Sequence, residues 1–375
     1  MSDEEFMGYV ESRFIKADEE AVKKVILDAT SHLKSALAQY RFDNNELDKA
    51  EELFNEAAEE DREIGGYENY LVDRCWVLRV EAIKGTLIGD ELTKLCNKFQ
   101  QLYEETFNKK HFRFTAQYLG ITSDTLGNYV VSLALTGDDK KISKLLEERW
   151  WVLNANRRVS VLTRLMLNAL LGHRVGLSSE LKGKLSVNLE ELIDVFGSEM
   201  YSEFLPALRV TLGIVKPEDG LEECDSIEDP TKRRDCRDAV SAVMNNSDAV
   251  RRLREKSINN FHEQISGNEK SGWLRELGFD ANVLIGEFGN LVGRLDGKSL
   301  VQLIAPRYST ARLALMLHAL VNGDEKLAKA QALLGAVYYT GRLPTRLFLE
   351  VYEAWRDLNK ESFGRAVAKL FFYHV

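Results

Sequence analysis

Proline is scarce in this 375-residue chain: there are five, and none precedes Pro206. Proline removes a backbone donor and clashes with the preceding helical turn, so long stretches without it, rich in Ala, Leu, Glu and Lys, point to helices. Long apolar runs are missing too. The stretch from Tyr129 to Leu135 is far too short to cross a bilayer. The four cysteines include no C-x-x-C pair and the six histidines are scattered singly, which argues against a structural zinc site. Neither G-x-S-x-G nor H-E-x-x-H occurs. Gly293-Arg294-Leu295-Asp296-Gly297-Lys298-Ser299 looks like a phosphate-binding loop but has three residues between its glycines where the motif has four. With no strand before it, it reads as a turn between helices. The sequence therefore assigns no catalytic, cofactor-binding or metal-binding residue, and no enzyme is expected.

Positive charge is scarce in one region only. Residues 1–70 hold 19 acidic and 8 basic residues, a net of −11, within a whole-chain charge of −9. The rest of the chain is balanced. A nucleic-acid binder is usually basic, so that class starts at a disadvantage. Met1-Ser2-Asp3-Glu4-Glu5-Phe6 is acidic where a secretory leader needs a basic start. The expectation is a soluble cytoplasmic protein with no membrane partner. Cys75 and Cys96 fall in apolar helical contexts and read as buried thiols. Cys224 and Cys236 flank a polar stretch that a disulfide could clip.

What is abundant is helical periodicity. Val22, Val25, Ile26, Ala29, Leu33, Ala36, Leu37 and Tyr40 recur at three-and-four spacing along one helix face. Asp43-Asn44-Asn45 offers a turn, and Ala50, Leu53, Phe54 and Ala57 form a second stripe. The expectation is that these helices pack antiparallel, each burying the other's stripe. Further helices are expected over 67–84, closed by Gly85, and then over 91–107, 126–135, 140–153, 158–171, 180–196 and 199–212. Pro206 kinks or restarts the last of these. Residues 214–248, with Pro217, Gly220, Pro230 and many charges, break the pattern and read as a polar linker or surface excursion. They divide the chain into an N-terminal helical-repeat domain over 1–213 and a C-terminal helical domain over 249–375. Helices there are expected from Ala249 and from Trp273, and over 310–321, 325–338, 345–357 and 362–373. The fold class is all-α.

Successive hairpins prompt a search for repeats. Leu133-Ala134-Leu135-Thr136-Gly137-Asp138-Asp139-Lys140 parallels Ala319-Leu320-Val321-Asn322-Gly323-Asp324-Glu325-Lys326. Each ends one helix on Gly and opens the next with a capping Asp. The segment from Leu37 to Ala57 resembles a tetratricopeptide repeat: Ala38 fits the small position of the first helix, and Ala50 and Ala57, with Phe54 between, fit the second. Ala328, Ala354 and Ala366 suit the same pattern near the C-terminus. Arg41 stands where that family has an aromatic, no proline closes the unit near Arg62, and the turns do not recur every 34 residues. The resemblance implies stacked helical hairpins, as a TPR-like α-solenoid or an irregular multi-helix array, and a protein-binding role.

Several polar and basic features complete the reading. His318 sits on an apolar helix and reads as a core histidine. Lys109-Lys110-His111-Phe112-Arg113-Phe114 interleaves charge and rings. Lys232-Arg233-Arg234, Arg237, Arg251, Arg252 and Arg254 read as a solvated surface diluted by nearby acids. The sharpest cluster is Arg149-Trp150-Trp151 with Arg157 and Arg158. Trp150 continues an apolar stripe, while Trp151 points about 100° away and is either packed by another helix or exposed. Arg149, Trp151, Arg157 and Arg158 are therefore the candidate partner-binding residues. The expected function is a non-catalytic scaffold or adaptor that binds a protein or peptide. The alternative is a nucleic-acid-binding or regulatory sensor protein using these Arg/Trp helices.

Overall fold

A computed structural model describes residues 19–108, 114–171, 179–339, 341–357 and 360–375. These residues form twenty α-helices and two short 3-10 turns, with no strand among them. The first nine helices are α1 (Glu19–Asp43), α2 (Leu47–Ile64), α3 (Tyr67–Lys84), α4 (Gly89–Thr106), α5 (Ala116–Thr136), α6 (Asp139–Leu153), α7 (Arg157–Leu171), α8 (Ser179–Leu185) and α9 (Leu189–Phe196). The middle seven are α10 (Leu205–Thr211), α11 (Pro217–Asp225), α12 (Pro230–Val243), α13 (Ser247–Ser266), α14 (Asn268–Glu276), α15 (Ala281–Val292) and α16 (Gly297–Ile304). Four more close the chain: α17 (Ser309–Val321), α18 (Glu325–Tyr338), α19 (Arg342–Arg356) and α20 (Lys360–His374).

Local chemistry sets the boundaries. Gly137 and Gly323 take left-handed backbone (φ 85° and 79°), which costs glycine nothing and ends α5 and α17. Asp138 and Asp324 then accept from the backbone N–H of Lys141 (3.0 Å) and Leu327 (3.1 Å), opening α6 and α18. The two look-alike segments thus fold the same way. Pro206 stands in the first turn of α10, so it begins a helix anew. In the glycine-bearing segment, residues 293–296 form the turn between α15 and α16, and Asp296 caps α16 by accepting from Ser299 N at 2.8 Å.

Neighbouring helices stack as hairpins: α1 on α2, α2 on α3, α4 on α5, α5 on α6, α17 on α18, and α19 on α20. The array does not run away from its start. Helix α17 packs on α7, and α20 packs on α3, α5, α7 and α17. Buried apolar side chains form one cluster reaching from Ala38 to Val375. Where the sequence suggests a polar excursion over 214–248, the chain instead forms α11 and α12. Cys224 and Cys236 join them by a disulfide, both fully buried beside Ala239 and Val240. Charge and proline masked that face because α12 keeps few apolar positions, all on one side. Cys75 and Cys96 are buried free thiols.

The first hairpin differs most from expectation. Helices α1 and α2 are antiparallel, with Thr30 bonded to Glu60, and Lys34 to Glu56 and Glu60. Yet α1 meets α2 and α3 through Ser31, Lys34, Ser35, Ala38 and Phe42, not through its apolar stripe. The stripe of α2 is inside, with Ala50, Phe54 and Ala57 each fully buried. The stripe of α1 faces outward.

Candidate protein-interaction surface

Along α1, Val25, Ile26, Leu33, Leu37 and Tyr40 keep between 44% and 70% of their surface exposed, and Ala29 and Ala36 between them are exposed as well. At 100° per residue these positions and half-buried Val22 span a single sector, opposite the face that holds α2. No charged residue interrupts it from Val22 to Tyr40. Contiguous exposed apolar strips are uncommon on monomeric proteins, which makes this face the candidate for a partner.

The other face of α1 is fixed by a polar contact. Ser31 Oγ donates to Asp61 Oδ1 (2.7 Å) and Ser35 Oγ to Asp73 Oδ1 (2.8 Å). Asp61 and Asp73, 1% and 3% exposed, hydrogen bond to each other. Two carboxyls in contact cannot both ionise at low cost, and burial raises Asp73 to about 7. The pair works by holding α1, α2 and α3 together.

Each residue singled out by the sequence has its own surroundings. Trp151 is 49% exposed. Arg149 lies 5.3 Å from the ring of Phe107, and Trp150 is half-buried with Arg164 over its ring. Arg157 pairs with Asp194 at 2.6 Å, and Arg158 pairs with the buried carboxylate of Glu199 while lying over Phe196. Two of the three arginines thus pair with carboxylates. Lys109 to Arg113 lie outside the described residues. The basic residues near α12 and α13 are also engaged: Arg237 with Asp225, Arg252 with Asp238, and Arg251 with Asp248.

Two further features escaped the sequence. A cavity of about 920 Å³ opens where the ends of seven helices meet, lined by Ile88, Leu135, Leu170, Val321, Trp355 and Phe363 among others. Its contributors span the chain from α4 to α20, so no local pattern announces it. Its rim carries Lys360, Glu361 and Arg365, and it offers apolar surface without a nucleophile–base pair. The second is a buried polar seam. Arg79 Nε donates to Phe372 O (2.6 Å) with its guanidinium over Trp76, and Asn128 Nδ2 donates to Val375 O (2.9 Å). Tyr373 donates to Asp43 at 2.8 Å, and burial pushes His374 down to about 3. Burial likewise lowers His318, in keeping with a core histidine.

Among the described residues, no three or more His, Cys, Asp or Glu are arranged to hold a metal ion, and no helix is long and apolar enough to cross a membrane. Among the described residues, α1 carries an exposed apolar face on a helix whose other side is bonded to α2 and α3. No protein-family model, curated protein or solved structure matches this chain.

Proposed function

We propose that this chain is a non-catalytic helical scaffold that binds a protein or peptide, and that the apolar face of α1 is its docking surface. One observation carries the reading: the most regular stripe in the sequence faces outward on a helix whose opposite side is fixed to α2 and α3. An exposed apolar stripe at helical spacing fits a helix-in-groove or helix-on-helix partner. The tetratricopeptide-like reading belongs to the same proposal. Its support is that Ala38, Ala50, Ala57 and Phe54 are all fully buried where α1 and α2 meet. For nucleic acid the remaining support is the exposed indole of Trp151, with Arg157 and Arg158 held by carboxylates. A cytoplasmic address belongs to the same proposal, with no helix among the described residues long and apolar enough to cross a membrane. The Cys224–Cys236 bridge pulls the other way, because disulfides persist in oxidising compartments or in intracellular proteins of hyperthermophiles.

The test is a photo-crosslinking amino acid placed at Leu33 in the native cell, with Glu59 on α2 as an exposed control. Protein adducts at Leu33, unaffected by nuclease and missing at Glu59, are expected. A Leu33 position that captures no protein would remove the proposal.

A further inference from the structure

We infer that the face of α1 is covered by a second copy of this chain, the two α1 helices pairing antiparallel about a two-fold axis that crosses the exposed face at the level of residue 31. This rests on the proposal that α1 is a docking surface, and adds what docks there. The stripe advances 22, 26, 29, 33, 36, 40, alternating steps of four and three residues. That is the 3.5-residue repeat of a coiled-coil seam, about 27 Å long at 1.5 Å per residue.

Within the seam the large and small side chains are distributed so that the sequence complements itself. Reversed about the axis, Ile26 meets Ala36 of the second copy, Leu33 meets Ala29, and Tyr40 meets Val22. Each pairing sets a larger side chain against a smaller one, and the symmetry then repeats all three. A two-fold interface requires one patch to be complementary to itself in this way. A parallel pairing would instead place Tyr40 on Tyr40 and Ala29 on Ala29, alternating overfilled and underfilled layers.

The edges permit the same arrangement. Flanking the seam, Val25 faces Gln39 of the second copy, Lys23 faces Leu37, and His32 and Thr30 each face their own equivalents. No lysine meets a lysine and no carboxylate meets a carboxylate. Lys23 is already paired with Glu63 of its own α2. The five exposed large side chains of the stripe offer on the order of 500 Å² per protomer, the greater part of the half-share of a standard interface. The opposite side of α1 is bonded to α2 and α3, so the helix is ordered before it pairs.

The experiment uses the full chain. Sedimentation equilibrium at micromolar concentration is expected to give twice the 42.7 kDa protomer mass. Ile26→Glu combined with Leu33→Glu is expected to give the protomer mass with unchanged helical circular dichroism, since both side chains are exposed. A short thiol cross-linker is expected to join His32→Cys to itself and to leave Val25→Cys unjoined, because Val25 lies far along the helix from its equivalent in this register. Cys75 and Cys96 are buried and do not compete. A wild-type chain that stays at protomer mass overturns the inference, as does a dimer that the double glutamate leaves intact. Val25→Cys linking as well as His32→Cys overturns the antiparallel register. If the chain is a monomer while Leu33 captures a different protein in cells, self-pairing fails and the docking proposal stands. A monomer with no adduct at Leu33 ends both.

Discussion

Asp61 and Asp73 lie between α1, α2 and α3, where their carboxyl groups share a hydrogen bond out of contact with water. Burial raises Asp73 from 3.8 to about 7, so the folded chain holds a proton that the unfolded chain releases near pH 4. Stability from this group is therefore full below about pH 4 and falls as pH rises to about 7, by up to about 4 kcal/mol at 1.36 kcal/mol per unit. Asp73→Asn keeps the shape and removes the titration. Thermal melts are expected to show the variant more stable than wild type at pH 8, with the gain shrinking towards pH 5. A wild-type stability that rises through this window would contradict the account. Gly297 makes a second prediction at this scale. A Cβ there would sit 1.9 Å from the carbonyl oxygen of Ala242, backbone that cannot swing aside. Gly297→Ala is expected to destabilise by about 2–4 kcal/mol in urea, although alanine ordinarily favours a helix.

Elements differ in how much of their stability is local. The hairpin of α11 and α12 spans 12 residues between bonded cysteines, and chain-entropy arguments give such a loop about 3 kcal/mol. Cys224→Ser with Cys236→Ser is expected to speed amide exchange in α11 and α12 far more than in α1 to α3. Uniform acceleration over the chain would show that the bridge does not act locally. Helix α1 gives the contrast in legibility. Its stripe was plain in the sequence, and so was its helical state. The expected burial of that stripe is reversed, because Ser31 and Ser35 are small and polar and give no apolar signal, and Ala38 is marked only by the repeat resemblance. Their value lies in matching Asp61, Asp73 and the alanines of α2, and that match exists only when three helices meet.

At the scale of the molecule, α20, the last described helix, is locked against helices from the first half of the chain. Arg79 donates to the carbonyls of Phe372 and Tyr373, while Phe42 stacks on Tyr373 and Phe99 on Phe372. Removing Arg79 leaves those carbonyls without their buried donor. Arg79→Ala is expected to lower stability by about 3–5 kcal/mol and to move the whole unfolding transition. A variant that loses only α20, leaving the melt of the remaining helices unchanged, would show that α20 is an appendage.

Proline scarcity, the three-and-four spacing of apolar residues and the Gly-Asp junctions at 137–138 and 323–324 by themselves determined an all-helical chain and many of its helix boundaries. These are short-range effects, set by backbone donors, caps and φ angles within a turn or two. Which stripe is buried, how the arginines after Trp151 find Asp194 and Glu199, and where the cavity and the Arg79 seam lie were decided by tertiary structure. Each depends on residues far apart in sequence whose burial and pairing gain free energy only once the helices have met.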